Sequence, residues 1–158
     1  MGARSDLRLA ELAVPWGHQL RLAHFAAAQR LLDEANFLEA VDADPAVAAA
    51  YHFMPALTAH NRGDHRAAHE HAQRILDELT ETARDLMRRL FGYDLEVSAL
   101  RLLGYSGFFL GDVDRAFALA SLARERATKL GYVTPFAHRP LGRHSWPTCW
   151  TRPGKSTG

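Results

Sequence analysis

The chain has 158 residues, of which 47% are hydrophobic and 23% charged, with a formal net charge of +1. That length allows one compact core or roughly three to four stacked helix pairs, and the balanced charge excludes a broadly basic nucleic-acid face. The single cysteine, Cys149, excludes an intrachain disulfide framework and fits a reducing compartment.

The opening Met-Gly-Ala-Arg-Ser-Asp lacks the apolar stretch of a signal peptide. Asp6 stands where a myristoylation pattern needs Ser or Thr. No apolar run is long and unbroken enough to span a bilayer, so the expected location is cytoplasmic. Ala, Leu, Arg and Glu dominate residues 7–130, which predicts helix throughout. A first helical stretch is expected from Trp16 to Ala40, with Leu20, Ala23, Ala27, Leu31 and Ala35 at helical spacing and Asn36 as an interruption. Asp44 and Pro45 then read as an N-cap and a first helical residue. The next helix is expected over 46–62, kinked or broken at Pro55 and closed by Gly63.

From His65 the pattern Ala68, Ala72, Ile75, Leu76, Leu79 predicts another helix, extending through Leu86 and Leu90 to a break at Phe91-Gly92-Tyr93-Asp94. Residues 95–110 and 113–130 form the last expected pair, with Gly131 as the C-cap. Residues 1–138 therefore read as one helical domain. Residues 139–158 carry three Pro, three Gly, two Trp and three Arg without an apolar period, so an irregular or disordered tail is expected there. Its Trp146 and Trp150 suit either docking on the last helices or a tail foreign to the fold, and the second reading is favoured.

Gly63-Asp64-His65-Arg66-Ala67-Ala68 and Gly111-Asp112-Val113-Asp114-Arg115-Ala116 stand 48 residues apart, each between two helical runs. In each, the Asp is expected to cap the following helix. The same shift superimposes Gly104, Gly107, Ala116, Ala120 and Ala123 on Ala56, Ala59, Ala68, Ala72 and Ile75, which suits two closely crossing helices. A turn recurring at one point of two helix pairs signals a repeat architecture and a binding surface rather than a catalytic pocket.

On Leu103-Gly104, Gly111-Asp112, Ala116 and Ala123 in one unit, and Gly63-Asp64, Ala68 and Ala72 in the other, the chain resembles the tetratricopeptide repeat. The usual period is about 34 residues, so longer helices or loops are expected here. The usual closing Pro is missing from its place, and Pro55 is an addition. Over residues 33–137 the chain also looks like the helical-repeat region of bacterial regulators that carry a predicted ATPase module, often joined to an adenylate-cyclase or winged-helix domain. Leu90-Phe91-Gly92-Tyr93-Asp94-Leu95 and Asp112-Val113-Asp114-Arg115-Ala116 carry that likeness. It implies an all-α, right-handed stack of antiparallel helix pairs, a tetratricopeptide-like solenoid. It further implies that the chain is a fragment or stand-alone relative of such a regulator's interaction segment.

Candidate chemistry is sparse. Gly154-Lys155-Ser156 lacks the earlier Gly of a phosphate loop, since Cys149 occupies that place. Ser98 and Ser106 sit in helix without the strained turn of an activated nucleophile, and Cys149 lies in the tail. His65 and His69 share a helix face at metal-chelating spacing, with His71 nearby, but no further ligand is clearly placed. Glu78, Glu81 and Asp85, with Arg84, Arg88 and Arg89, read as a solvated charged face.

Because the first helix of each repeat lines the concave side in such stacks, the candidate groove residues are Phe53, Leu57, His60, Asn61, Ser98, Arg101, Tyr105 and Phe109. Core filling is the competing reading for each aromatic. Arg with Tyr and Phe is the composition of protein-binding surfaces. The expectation is a non-catalytic, regulatory module that binds a protein or peptide and uses no cofactor. The alternative is a small His-rich metal-binding or enzyme-accessory protein built on His65, His69 and His71. Phe117, Leu119 and Leu122 predict an uncapped end prone to self-association.

Overall fold

The computed structural model describes residues 2–41 and 45–131, with side-chain surroundings at 7–34 and 46–131. The described residues form seven α-helices: α1 (Gly2–Arg21), α2 (Phe25–Val41), α3 (Pro45–Arg62), α4 (His65–Asp77), α5 (Glu81–Phe91), α6 (Leu95–Phe109) and α7 (Val113–Lys129). The expectations for Asp44 and for 139–158, with Trp146, Trp150, Cys149 and the Gly-Lys-Ser run, fall outside them. So do residues 132–138.

Three of the connections are one turn written three times. In Gln19–His24, Ala59–Asp64 and Gly107–Asp112, the amide of the sixth residue donates to the carbonyl of the first, at 3.0, 2.9 and 2.9 Å. The amide of the fifth donates to the carbonyl of the second, at 3.1 Å in all three. This double closure requires the fifth residue to be left-handed, and Ala23, Gly63 and Gly111 have φ of 58°, 81° and 94°. The chain doubles back at each turn and pairs α1 with α2, α3 with α4, and α6 with α7. Asp64 then caps α4 by accepting from the Ala67 amide at 3.1 Å. Asp112 makes no such side-chain bond, so the capping expected of it is absent.

The first helices α1, α3 and α6 lie side by side, while α2 and α4 each pack against their own partner and the first helix of the next pair. Small residues permit the crossings. Ala56, Ala68 and Ala72 are fully buried, and a Cβ added at Gly104 would come within 3.2 Å of the Ala116 carbonyl oxygen.

Several expectations are corrected. The stretch from Trp16 to Ala40 is two helices: α1 starts at Gly2, and the break falls at Ala23, with helix continuing through Asn36. No glycine marked that turn, because Ala23 itself adopts the left-handed conformation. Helix α3 runs unbroken through Pro55, flanked by the buried Met54 and Ala56. Helix α4 ends at Asp77 rather than continuing to Leu90. Thr80 starts a new helix there, its hydroxyl accepting from the Ala83 amide at 3.1 Å. That extra helix, α5, lies between the α3–α4 and α6–α7 pairs and takes up part of the 48-residue spacing between their turns.

The core centres on Trp16, 2% exposed, which meets Phe53 and Phe91 edge-on at 6.2 and 6.0 Å between ring centroids. Its indole N–H donates to Thr58 Oγ1 at 2.9 Å, and the Thr58 hydroxyl donates to the Met54 carbonyl. The residue 48 positions later, Ser106, is also a buried hydroxyl. It donates to the Leu102 carbonyl at 2.8 Å and pairs with His69 Nδ1 at 3.0 Å. In both pairs this hydroxyl is the point where a neighbouring helix is fastened. On the other side, Glu96 of α6 is gripped by Arg84 of α5 at 2.9 Å and Arg126 of α7 at 2.8 Å.

A left-handed alanine costs roughly 1 kcal/mol or more, and glycine removes that cost while adding some unfolded-chain entropy. Ala23→Gly is therefore expected to stabilise the chain by about 0.5 kcal/mol, raising Tm by about 1–2 °C. Gly63→Ala should lower Tm, and both shifts can be read from thermal melts.

Candidate functional site

Two groups of side chains gather chemistry that the core does not use. The first is a strip across α3, α4 and α6. The Arg101 guanidinium hydrogen-bonds the Tyr105 hydroxyl, and the Tyr105 ring lies 5.1 Å from His60. His60 lies 5.8 Å from His65, and His65 stacks on Phe109 at 4.1 Å with the rings 7° from parallel. Phe108 completes the strip edge-on to Phe109 at 5.7 Å. Phe109 is 59% exposed and Phe108 39%, so the strip runs from a half-buried polar end to an open apolar one.

Burial sets the ionisation along it. Desolvation, aided by His65 and Arg101, lowers the His60 pKa, so this ring is neutral at neutral pH. Burial pushes the Tyr105 phenol up to about 12 despite the opposing pull of Arg101. The phenol therefore keeps its proton. His60 Nδ1 and His65 Nδ1 are buried and meet no hydrogen-bond partner within the protein.

Of the groove residues read from the sequence, His60, Arg101, Tyr105 and Phe109 come together here. Phe53 does not: it is 5% exposed and packed between Trp16 and Phe91, so the core reading holds for it. Leu57 packs against the core. Asn61 is exposed and donates to the Leu57 carbonyl at 2.7 Å. Ser98 spends its hydroxyl on the Asp94 carbonyl at 2.8 Å. The structure adds His65 and Phe108 to the strip. His65 opens α4 at the Gly63-Asp64 turn, and the packing of α4 against α6 brings it beside Phe109.

The histidines suspected of chelation are separated by this geometry. His65 turns to Phe109, while His69 turns to Ser106. A serine bonded to a histidine is the beginning of a hydrolytic dyad. Ser106, however, is fully buried and gives its proton to the Leu102 carbonyl, so it is not poised for attack on a substrate.

The second group lies on the α3–α4 seam. His52, 1% exposed, places Nδ1 3.2 Å from His71 Nδ1 and Nε2 3.8 Å from Glu78 Oε2. No residue spacing foretells this pairing, because the packing of α3 on α4 sets it. Burial lowers the His52 pKa to about 4, opposed by Glu78 and assisted by His71 and Arg74. His71 also lines a cleft of about 240 Å³ between α2, α3 and α4, together with Gln29, Tyr51, Thr58, Arg62 and Asp64.

No protein-family model, curated protein or solved structure matches the chain. No described helix is long and apolar enough to cross a membrane.

His52, His60 and His69 all have pKa values lowered by burial, so on acidification the unfolded chain takes up protons before the folded one. The stability they allow is intact above about pH 6.5, and it declines as pH falls from there toward about 4, the His52 value. Each group contributes a slope of at most about 1.4 kcal/mol per pH unit. Urea unfolding between pH 8 and 4 in the presence of a chelator is expected to show this decline. His69→Gln should flatten part of it.

Proposed function

We propose that this chain is a non-catalytic interaction module that presents the strip from Arg101 to Phe109 to a protein or peptide partner. The observation that carries the reading is the convergence of Arg101, Tyr105, His60, His65 and Phe109 from three helices onto one partly exposed surface. Arginine and aromatic side chains dominate the energetics of protein recognition because they combine large apolar area with directional hydrogen bonds. The partner best suited to it is an extended or helical segment offering an apolar side chain to Phe108 and Phe109 and a carboxylate or carbonyl to Arg101.

The thrice-repeated turn and the side-by-side row of α1, α3 and α6 support a tetratricopeptide-like solenoid as the scaffold. In such a stack each pair packs on its neighbour, and a surface formed before the partner arrives lowers the ordering cost of binding. The resemblance to bacterial ATPase-type regulators suggests that the module senses or relays occupancy within a larger signalling or transcriptional assembly in the cytoplasm. The exposed Val113 and Leu122 of α7, with the partly buried Leu119, further suggest self-association through that helix.

Arg101→Glu is expected to weaken quantitative affinity capture of a partner at least tenfold while leaving the helical circular dichroism and Tm close to wild type. Capture that is unaffected by both Arg101→Glu and Phe109→Ala would remove the strip from consideration. Light scattering is expected to give a mass above that of one chain, falling toward the monomer in Leu122→Glu. A clean monomer for the wild type at tens of micromolar counts against association through α7.

A further inference from the structure

The seams that join successive helix pairs differ at one point, and the difference leaves a cleft. Gln29 on α2 and His69 on α4 each stand five residues after the last residue of their turn, His24 and Asp64. Thr58 on α3 and Ser106 on α6 each stand one residue before the first residue of theirs, Ala59 and Gly107. In the α4–α6 seam these positions meet, with His69 Nδ1 3.0 Å from Ser106 Oγ. In the α2–α3 seam they do not. Gln29 donates to Asp33 on its own helix at 3.0 Å, and Thr58 Oγ1 accepts from Trp16. The cleft of about 240 Å³ lies at this unbridged place, and both Gln29 and Thr58 line it.

Arg62 and Asp64 bring opposite charges to the same lining. The guanidinium reaches from α3 to α2, but its bond there is long and to a neutral amide, 3.5 Å from Arg62 Nη1 to Gln29 Oε1. Asp64 uses Oδ1 on the Ala67 amide at 3.1 Å, which leaves Oδ2 for a further donor. Both side chains are exposed, so a ligand reaches them from solvent. Leu32, Pro55 and Ala59 give the lining an apolar part.

We infer that this cleft binds a small zwitterion, an aliphatic α-amino acid. Its carboxylate sits on Arg62, its ammonium on Asp64 and its side chain against Leu32, Pro55 and Ala59. Size, charge and lining set the class. The volume is below the roughly 300–1,000 Å³ of clefts that take drug-sized ligands. A guanidinium offers a carboxylate two parallel N–H donors, a stronger contact than the amide Arg62 now touches. Asp64 repels a simple anion and Arg62 a simple cation, whereas one molecule carrying both charges suits both. The lining shares no residue with the strip from Arg101 to Phe109, so this site is independent of partner binding there. A ligand seated in it ties α2 to α3, as the His69–Ser106 bond ties α4 to α6.

The test uses the full chain at pH 7.5 with L-valine, L-leucine and L-isoleucine in turn, followed by calorimetry and thermal melting. At least one is expected to bind saturably, one molecule per chain, with a Kd from roughly 10 µM to 1 mM, and to raise Tm. Analogues of the tightest ligand that lack its ammonium or its carboxylate (4-methylpentanoate and 3-methylbutylamine for leucine) should bind at least tenfold more weakly. Arg62→Ala should weaken the amino acid at least tenfold. Asp64→Asn keeps a capping side chain and should weaken it about tenfold, bringing the carboxylate analogue level with it. Phe109→Ala, outside the lining, should leave affinity unchanged. No saturable binding by any of the three up to about 10 mM, affinity retained in Arg62→Ala, or a carboxylate analogue as tight as the amino acid on the wild type would each overturn the site.

Discussion

The constraint from which the architecture follows is the left-handed residue at the end of α1, α3 and α6. Once the fifth residue of the turn has positive φ, its amide and the next are aimed back at the last helical carbonyls. Only two or three residues then separate one helix from the next. A connection that short leaves the second helix no choice but to pack antiparallel against the first, and the contact must be lined by small side chains. The buried Ala56, Ala68 and Ala72, and the approach of Gly104 to the Ala116 backbone, are consequences of the turn rather than independent features. The strip from Arg101 to Phe109 depends on it as well, because the Gly63 turn sets His65 beside His60 and the packing of α4 on α6 sets it against Phe109.

Pairing alone does not hold one pair of helices to the next. The pairs are joined by apolar burial around Trp16, Phe53 and Phe91 and by two buried hydroxyls, Thr58 and Ser106, at equivalent points of α3 and α6. Each hydroxyl donates to its own helix backbone and uses its oxygen for a neighbour, so neither is left unsatisfied. A valine at either place would keep the shape and lose the fastening, leaving the Trp16 N–H or His69 Nδ1 without its buried partner. The packing that fixes these helices also fixes the distance between His52 and His71 and the order of rings from Tyr105 to Phe109.

Legibility in the sequence followed the strength of local signals. Helix content was readable from composition, and the Gly63 and Gly111 turns from glycine beside aspartate, because those residue types have few other uses between two apolar runs. Asp94 follows Gly92-Tyr93 and opens an apolar run, the place of a helix cap, and it accepts from the Val97 amide. The first turn was hidden because its left-handed residue is an alanine. Helix α5 was hidden because its apolar pattern continues that of α4 closely enough to mask the break at Glu78–Thr80. The site was legible at Arg101, Tyr105, His60 and Phe109, where helical spacing on one face is enough. Phe53 looked equivalent by spacing, but its fate depended on Trp16, 37 positions away. The His52–His71 contact is likewise a product of tertiary packing and has no signature in spacing.

The grip on Glu96 bears on how this chain comes apart. One carboxylate serves guanidinium groups from the helices on either side of it, so neither α5 nor α7 can peel away from α6 without leaving the other ion pair to rearrange. Among the described helices, α5, α6 and α7 are thereby linked through one carboxylate, while α1 and α2 are attached by the Trp16 core and a turn strained at Ala23. Backbone amides should therefore sort by position along the array, with exchange reaching the first pair at a lower cost than it reaches the last. Helices joined by the same turn are, in this sense, unequally held from the first described pair to the last.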